Sequence, residues 1–431
     1  MTAPASPLID PDVALQRLLA AASAISETET LPLSSALGRV LAQEVRSTID
    51  VPPADNTAMD GYAVRSADVS AAGTRLLVSQ RIPAGAVPQP LQPGTAARIF
   101  TGGLIPPGAD AVVMQEQCAA EGDEVRINAP PKAGDWVRRR GLDVAAGSVV
   151  LAAGQRLRPQ DLGLAASVGV ASLRVRRKPR VAMLFTGDEL AMPGEPLRPG
   201  AIYNSNRFVI RALLETAGCE VTDFGIVPDQ LEATRAVLRQ AALGHDLVVS
   251  TGGMSVGEED HVKPAVQAEG ALDLWQIAMK PGKPLAFGHL RRSENQGGEQ
   301  GGEQGGEQGG EQGGEQGEAA FIGLPGNPVS SFVTFLLFVR PFLLALQGAG
   351  QTAVQTLPVR AAFDWPKPDR RREYLRVRLN AQGEAELFAS QNSAVLTSTV
   401  WADGLVDNPP QQPIARGDVL RYLPFSSLLQ G

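Results

Sequence analysis

The sequence of 431 residues contains only two cysteines and three histidines. Cys118 and Cys219 lie far apart, no CxxC pair occurs, and the histidines are scattered. These absences argue against a cysteine-based zinc site and a multi-histidine metal cage, because such centres need several ligands at close spacing. Two isolated cysteines are typical of reduced core thiols, so we expect a reducing, cytoplasmic location.

A basic charge excess and long apolar runs are also missing. The net charge of −7 argues against a general nucleic-acid binder, which would carry a basic face. The amino terminus has no basic segment followed by an apolar stretch, so we expect no secretory signal. The most apolar region, Phe332 to Leu346, is interrupted by Arg340 and Pro341, and we predict a buried helix rather than a membrane span. Neither nucleic acid nor a membrane is an expected partner.

Several widespread catalytic fingerprints are absent too. The sequence has no Walker A motif, no HExxH, no GxSxG and no clear GxGxxG. The common NTPase, metalloprotease, hydrolase and dinucleotide-binding functions are therefore disfavoured.

Composition and periodicity predict a multidomain α/β and β protein. Asp10-Pro11 before VALQRLLAAASA predicts a capped first helix, and PQDLGLAASVG predicts a second helix that packs back on it. The glycine- and proline-rich region between them, with short alternating runs, predicts a small β domain. The predicted domains are a discontinuous one (1–50 plus 144–178), the small β domain (51–143), an α/β domain (179–350) and a carboxyl-terminal β-barrel (351–431).

Strand and helix patterns alternate in the third domain. This alternation predicts a three-layer α/β domain with a mainly parallel sheet. The predicted strands are Arg180 to Phe185, Glu220 to Val227, Asp246 to Ser250, Leu274 to Met279, Leu285 to Leu290 and Phe321 to Leu324. The predicted helices are Ser205 to Ala217, Leu231 to Leu243, Val262 to Glu269 and Val329 to Leu346.

Five copies of GGEQ lie between two of these predicted strands, within a low-complexity insert at 296–318. The repeat has no apolar residue with which to offset ordering entropy, so we expect it to be disordered. A tolerated expansion of a surface loop is the favoured interpretation, and a docking role is the alternative.

Three glycine-bearing turns follow predicted strands, in VAMLFTGDEL, LVVSTGGMSVGEED and FIGLPGNPVSS. Because the carboxyl ends of parallel strands share one edge, we expect these turns to meet in one pocket. Gly252 and Gly253 would let backbone amides approach an anion, with Ser255 offering a hydroxyl. The carboxylates of this pocket, any of which would suit a divalent cation, are Asp188, Glu189, Glu258, Glu259 and Asp260. An ordinary turn at Glu189 and a helix cap at Asp260 are the competing interpretations.

Two further segments would bring positive charge and a helix end to this pocket. In MKPGKP, a rigid turn can direct Lys280 and Lys283 at one oxyanion, although lysine pairs on loops are usually solvated. GLPGNPVSS presents a stiff turn before a helix amino terminus, whose dipole favours an anion. Its candidate residues are Pro325, Gly326, Pro328 and Ser330.

Taken together and in order, the motifs NTAMDGYAV, TGGLIPPGADAVVMQE, TGDEL, STGGMSVGEED, KPGKP and GLPGNPVS resemble those of the molybdopterin molybdenumtransferases. The resemblance covers the chain apart from the GGEQ insert. It implies four domains, one of them elongated, and a homodimer with its site in a cleft between subunits. It also implies a reaction: adenylylated molybdopterin and molybdate react with the help of Mg²⁺, the adenylyl phosphoanhydride is cleaved, and molybdenum stays on the dithiolene.

The resemblance also implies roles for individual residues. The catalytic group falls on Asp60, Thr101, Asp143, Glu189 and Asp260, with Glu189 and Asp260 near the cation. The molybdate contacts fall on Lys280, Lys283, Ser330, Arg372 and Ser393. In the amino-terminal half, a solvated turn is the competing interpretation for each carboxylate.

Two other functions compete with molybdenum insertion. A molybdopterin adenylyltransferase uses a similar α/β domain, but usually that domain alone. A non-catalytic scaffold of the same family would not need Asp60, Glu189, Asp260 and both lysines. Transient contact with other proteins of molybdenum cofactor synthesis is a further expectation.

Overall fold

The computed structural model describes residues 8–253, 261–292 and 317–430. The chain forms two compact units. The first, the α/β-barrel unit, comprises Met1–Glu29, Gly38–Val40 and Arg176–Gly431. The second, the amino-terminal unit, comprises Thr30–Leu37 and Leu41–Val175.

Short strands dominate the chain up to residue 176. Two α-helices occur there, α1 (Pro11–Ala20) and α2 (Pro159–Ser167), with 3-10 turns at Leu33–Ser35, Ser66–Asp68 and Gln115–Gln117. The strands are β1 (Thr28–Pro32), β2 (Val45–Arg46), β3 (Asn56–Thr57), β4 (Gly61–Val64), β5 (Thr74–Ile82), β6 (Thr95–Ile99), β7 (Ala111–Met114), β8 (Cys118–Glu121), β9 (Glu124–Ile127), β10 (Val137–Arg138), β11 (Val149–Leu151) and β12 (Ser172–Arg176).

Six of these strands form the small β domain that the sequence predicts. Their order in the sheet is β7-β4-β6-β5-β9-β8. Both faces of the sheet are covered, because alternate residues enter two different cores: Tyr62 and Val113 lie in one, Ala63 and Val112 in the other. The strands β3 and β10 pair separately, as do β2 and β11.

The amino-terminal unit has a further core built from two distant stretches of sequence. Leu41 packs there with Leu151, Ala165 and Val175. Helix α1 has other partners, because Ala14 and Leu18 on its apolar face are buried in the core of the α/β domain. The prediction that α2 packs back on the first helix is therefore wrong.

Longer elements follow from residue 180. The strands are β13 (Arg180–Thr186), β14 (Leu190–Ala191), β15 (Ile202–Tyr203), β16 (Glu220–Val227), β17 (Leu247–Thr251), β18 (Gly270–Gln276), β19 (Met279–Lys280), β20 (Pro284–Arg291), β21 (Glu318–Leu324), β22 (Leu357–Arg360), β23 (Arg372–Leu379), β24 (Ala385–Leu387), β25 (Gly404–Asn408) and β26 (Val419–Pro424). The helices are α3 (Ser205–Thr216), α4 (Leu231–Gly244), α5 (Val262–Glu269), α6 (Pro328–Thr334), a π-helical segment (Phe335–Val339), α7 (Arg340–Leu346), α8 (Thr397–Trp401) and α9 (Phe425–Gln430).

The α/β domain has the predicted three layers. Its sheet runs β16-β13-β17-β21-β20-β18, with the first four strands parallel and the last two antiparallel. On one face the core contains Ile210 of α3 and Val333 of α6, and on the other it contains Leu238 of α4 and Val266 of α5. Helices therefore cover both faces of a mainly parallel sheet.

One predicted strand of this domain is wrong. The sequence predicts a strand from Leu274 to Met279, but β18 ends at Gln276 and β19 begins at Met279. Between them the N–H of Ile277 donates to the carbonyl of Lys283 at 2.7 Å. The chain then leaves the α/β sheet, and β19 pairs with β23 of the carboxyl-terminal sheet.

Residues 328–346 form one continuous helix, close to the predicted one. Its length and hydropathy would allow a membrane span, but 83% of its most apolar window is buried inside the protein. The π-helical segment lies just before Pro341. Because proline has no N–H to donate, a local change of helical pitch there is expected. This is a core helix of the α/β domain.

The carboxyl-terminal strands form the predicted barrel. Their order is β19-β23-β25-β26-β22, and β24 also pairs with β23. A bridge between Ala361, just after β22, and Ala385 of β24 closes the ring. Its interior contains Val377, Val406 and Tyr422.

The GGEQ repeat lies outside the described residues. The strands on either side of it are direct antiparallel neighbours, from the pair Ala286–Gly323 to the pair Arg291–Glu318. The repeat thus interrupts a hairpin.

Candidate functional site

The three glycine-bearing turns leave one edge of the α/β sheet, as the sequence predicts. Phe185 of β13 pairs with Thr251 of β17, and Thr251 pairs with Leu324 of β21, so the three strands end level with one another. Strand β13 lies between β16 and β17, which follow it in sequence on opposite sides. Such a reversal of strand order opens a crevice beyond the carboxyl ends, where ligands of open α/β sheets bind.

Glycine is required at this edge because the backbones approach closely. Gly252 has a φ of 88°, and a Cβ built on it would lie 2.6 Å from the carbonyl oxygen of Thr186. Gly253 has a φ of 64°, and its Cβ would overlap the side chain of Val262. A Cβ on Gly326 would lie 3.9 Å from the Cα of Gly252. The turns after β17 and β21 thus approach each other backbone to backbone at this crevice, here called the cleft, a geometry that suits a phosphate-bearing ligand.

A polar network holds this cleft together. The Nδ2 of Asn206 in α3 donates to the carbonyl oxygen of Gly326 at 2.8 Å and lies 3.4 Å from the Oγ1 of Thr251. Within the described part of the chain, the buried Oγ1 of Thr186 and Oδ1 of Asn206 have no hydrogen-bond partner. Buried polar atoms without partners are uncommon and call for an explanation such as a ligand or water. Sequence reasoning missed Asn206, because an asparagine early in a helix reads as part of its cap.

The turn after β13 contains Glu189, the one of the two predicted cation ligands that lies within the described residues. Asp188 and Glu189 are both exposed, and the carbonyl of Glu189 accepts from the N–H of Ile202 at 2.8 Å. Asp260 and Ser255 lie outside the described residues. Residues 8–253, 261–292 and 317–430 contain no cluster of three metal-binding side chains. A single exposed carboxylate still fits Mg²⁺, which keeps several waters and takes one or two carboxylates together with substrate phosphates.

The KPGKP turn lies against the start of the long helix and against the barrel. A Cβ on Gly282 would lie 2.5 Å from the Oγ1 of Thr334, and β19 pairs in parallel with β23. The Nζ of Lys280 lies 3.6 Å from the carboxylate of Asp369 and 3.5 Å from that of Glu373. The chain therefore brings Lys280 to the arginine-rich start of β23.

A cavity of about 530 Å³ opens beside this turn, lined by Leu8, Lys283, Asp369, Arg370 and Arg371. Asp369 accepts two hydrogen bonds from the guanidinium of Arg371, each 3.0 Å long. Those bonds hold the pKa of Asp369 well below its usual range and raise the pKa of Arg371. The lining thus contains three cations and one carboxylate that stays charged, a composition suited to an oxoanion.

Arg372, the arginine chosen from the sequence, has other partners. Its guanidinium makes two 2.6 Å hydrogen bonds to Asp407 and one of 2.9 Å to Asp12. The Asp407 carboxylate accordingly raises the pKa of Arg372. Arg371, the residue just before β23, lines the cavity instead.

The serine candidates meet at the amino terminus of α6. Ser330 is 4% exposed in the first turn of that helix. The carbonyl of Ser393 accepts from the N–H of Val329 at 3.1 Å, so the loop carrying Ser393 lies beside Ser330. Pro328 is the first helical residue, and the Ser331 hydroxyl donates to the carbonyl of Pro325, which fixes the turn.

The amino-terminal unit holds the remaining candidates. The carboxylate of Asp60 accepts from the N–H and the hydroxyl of Thr101, both at 2.7 Å. The hydrogen bond from the Thr101 N–H, and to a smaller extent the one from the Thr101 hydroxyl, lowers the pKa of Asp60. The side chain of Asp143 is exposed, while its N–H donates to the carbonyl of Val51 at 2.9 Å. The structure therefore joins Asp60 to Thr101 directly.

Comparison with known proteins agrees with the motifs over almost the whole chain. Residues 9–169 match the MoeA N-terminal region (domain I and II), residues 182–345 a probable molybdopterin binding domain, and residues 358–425 the MoeA C-terminal region (domain IV).

Individual relatives match at similar length. The molybdopterin molybdenumtransferase of Haemophilus influenzae is 36% identical over 94% of this chain and 95% of its own length. That of Bacillus subtilis is 32% identical over 89% of this chain and 86% of its own. The crystal structure of the molybdopterin biosynthesis MoeA protein from Pyrococcus horikoshii superposes with a TM-score of 0.79 at 29% identity, covering 97% of this chain and 100% of that one. The chain therefore belongs to the MoeA family of molybdopterin molybdenumtransferases.

Proposed function

We propose that this protein inserts molybdenum into adenylylated molybdopterin, with molybdate as the second substrate and AMP as a product. The observation that carries the proposal is the pairing of two features in the α/β-barrel unit. One is the glycine-lined cleft at the ends of β13, β17 and β21, and the other is the cationic cavity beside the KPGKP turn. A reaction between a pterin nucleotide and an oxoanion needs a site for each.

In this proposal the cleft binds the adenylylated pterin. Backbone amides around Gly252, Gly253 and Gly326 would face its phosphates, since no Cβ stands in the way. Glu189 and Asp260 would hold Mg²⁺. A divalent cation supplies charge neutralisation to phosphoanhydride cleavage. The exposure of the Glu189 carboxylate supports this assignment, because Mg²⁺ takes oxygen ligands.

Molybdate would bind at the cationic cavity. Lys280, Lys283, Ser330 and Ser393 keep the roles inferred from the sequence, and Arg371 replaces Arg372, whose charge is already matched by Asp407 and Asp12. Asp369 would hold the guanidinium of Arg371 in place before the oxoanion arrives. Preordered donors of this kind lower the entropic cost of binding.

Asp60, Thr101 and Asp143, in the amino-terminal unit, keep the catalytic roles inferred from the sequence. Asp60 is a carboxylate kept charged by its two hydrogen bonds from Thr101, which suits a base or a cation ligand. The proposal includes a homodimer, a cytoplasmic location and transient contact with other molybdenum cofactor synthesis proteins.

The deciding experiment follows AMP release from adenylylated molybdopterin with and without molybdate. We expect molybdate-dependent release by the wild type and its loss in Asp260→Ala. The matched control is Asp273→Ala, because Asp273 is an exposed carboxylate on β18 of the same domain. Turnover by Asp260→Ala equal to that of the control would remove Asp260 from the mechanism.

The same preparation separates the adenylyltransferase function. Incubation with ATP and molybdopterin should yield no adenylylated pterin. Accumulation of that product, with no molybdate-dependent AMP release, would replace the proposed function with adenylyl transfer.

A further inference from the structure

Arg376 is a buried arginine without an acidic partner. It lies in the middle of β23 and is 1% exposed. No carboxylate lies within ion-pair distance of its guanidinium in the parts of the chain that the structure describes. A buried cation of this kind is costly and needs compensation from hydrogen bonds. Burial alone accordingly lowers the pKa of Arg376 to about 10.

The guanidinium of Arg376 bonds instead to the segment 388–398. Its Nη2 donates to the carbonyl of Asn392 at 3.4 Å, and its Nε donates to the hydroxyl of Ser398 at 3.3 Å. A third bond, from Nη1 to the carbonyl of Tyr374 at 3.2 Å, stays within β23. One side chain therefore joins a rigid barrel strand to the loop before α8, at Asn392, and to the first turn of α8, at Ser398.

The backbone of Arg376 holds the same loop. The N–H of Arg376 donates to the Oε1 of Gln391 at 2.9 Å, and the Nε2 of Gln391 donates back to the carbonyl of Arg376 at 3.2 Å. The N–H of Phe388 also donates to that carbonyl, at 3.1 Å. Most of the segment from 388 to 396 has no regular secondary structure, so these contacts decide its path.

This loop reaches the amino terminus of α6, where Ser330, a proposed molybdate contact, lies. Ser393 follows Asn392 directly, and its carbonyl accepts from the N–H of Val329 in the first turn of α6. The chain of contacts from Arg376 to Asn392, Ser393 and the helix containing Ser330 is continuous. Loss of the Arg376 side chain would remove its hydrogen bonds to Asn392 and Ser398 and so loosen the loop that places Ser393.

We propose that Arg376 is a positioning residue for molybdate binding: it fixes the loop 388–398 so that Ser393 lies against the amino terminus of α6. The inference rests on the proposed function, because it assigns a purpose to the Ser393 loop in holding the oxoanion. Arg376 itself is too deeply buried to touch a ligand.

The test compares Arg376→Met and Arg376→Lys with the control Arg378→Met. Arg378 lies two residues further along β23, pairs with Glu386 at 3.1 Å and packs 4.5 Å from the ring centroid of Trp401. Within the described chain it makes no hydrogen bond to the loop 388–398. Gln391→Ala is a fourth variant, which releases the loop without removing the buried cation. It keeps the test decisive if Arg376→Met does not fold.

Two readouts are needed. Hydrogen exchange of peptides covering 388–398 in the ligand-free protein measures how strongly the loop is held against local opening. The dissociation constant for molybdate and the KM for adenylylated molybdopterin measure the two substrates separately. We expect faster exchange and about a tenfold weaker molybdate affinity in Arg376→Met and Gln391→Ala. The KM for the pterin should stay within about twofold in both variants, since the cleft is formed by other turns. Arg376→Lys should recover part of the affinity, and Arg378→Met should behave as the wild type.

The outcomes separate the inference from the proposed function. Absence of molybdate binding by the wild type would overturn the proposed function itself. Normal wild-type binding with unchanged affinity in Gln391→Ala and in any folded Arg376 variant would overturn only the role of Arg376. An equal loss for molybdate and pterin would also overturn it, because a general structural defect would explain both.

Discussion

Replacing Gly252 with alanine should destabilise the α/β domain, whereas the same change at Gly326 should not. Gly252 has a left-handed backbone, and a Cβ there would lie 2.6 Å from a backbone carbonyl oxygen that cannot rotate away. Gly326 needs no left-handed conformation, and its nearest neighbour would be 3.9 Å away, an ordinary contact. The two glycines line the same cleft, so they form a matched pair.

The expected magnitudes follow from these geometries. A left-handed conformation costs a non-glycine residue roughly 1–2 kcal/mol, and overpacking adds about 1–3 kcal/mol. Gly252→Ala should therefore lower the free energy of unfolding by about 2–5 kcal/mol. Gly326→Ala should be neutral or stabilising by up to about 1 kcal/mol, because alanine restricts the unfolded chain. It should still weaken binding of adenylylated molybdopterin, since the methyl group narrows the cleft toward Gly252.

Hydrogen exchange at increasing urea concentration, read on peptides from β13, β17 and β21, measures unfolding of this domain alone. A global melting curve is less suitable, because chains with several domains rarely unfold in one step. Equal stability of the two variants would show that the close approach of Gly252 to Thr186 imposes no constraint. Unchanged pterin affinity in Gly326→Ala would remove the cleft between these turns from the binding site.

Three other changes test separate parts of the structure. Thr101→Val keeps the N–H but removes the hydroxyl that donates to Asp60. The pKa of Asp60 should therefore rise toward its ordinary value, so that the carboxylate takes up its proton at a higher pH. A carboxyl NMR titration that shows no shift of this pKa would contradict the prediction. Arg371→Met should weaken molybdate binding more than Arg372→Met does. Arg372→Met should mainly lower the free energy of unfolding, because the Asp407 carboxylate loses two hydrogen bonds from the guanidinium. The reverse ranking in equilibrium binding of molybdate would restore Arg372 to the site. Deleting residues 297–316 should leave unfolding and AMP release unchanged, because the flanking strands pair directly, and a large loss of activity would give the repeat a role.

Much of the α/β domain could be predicted because its elements carry strong local signals. Strand β13 is a continuous apolar run, typical of a strand buried on both faces, and α5 was predicted with its exact bounds. The position of the three glycine-bearing turns at one edge of the sheet could be predicted from the parallel topology alone. Helix α1 was placed wrongly because an amphipathic pattern shows that one face is buried but not which core receives it.

The cationic cavity was less accessible to sequence reasoning, because distant segments build it. The two-residue strand β19 is too short to show a period, and its partner β23 lies about ninety residues further on. In RRREYLR, three consecutive arginines give no local reason to prefer one of them. The register between β19 and β23 shows where the segment lies: Met279 pairs with Arg372, and Lys280 pairs with Glu373. Within β23, Arg372 reaches Asp407 of the neighbouring strand, whereas Arg371, just before the strand, lies at the cavity.

The same register explains why the site can hold several cations before an oxoanion binds. Pairing Lys280 with Glu373 brings that ammonium group near two carboxylates, and Asp369 also takes the guanidinium of Arg371. Lys280 and Arg371 therefore each have a negative neighbour, which limits the repulsion between these two cations in the ligand-free protein. A slip of one residue would separate Lys280 from Glu373. The short pairing of β19 with β23 thus brings Lys280 to the arginine-rich segment, although neither strand contains that information alone.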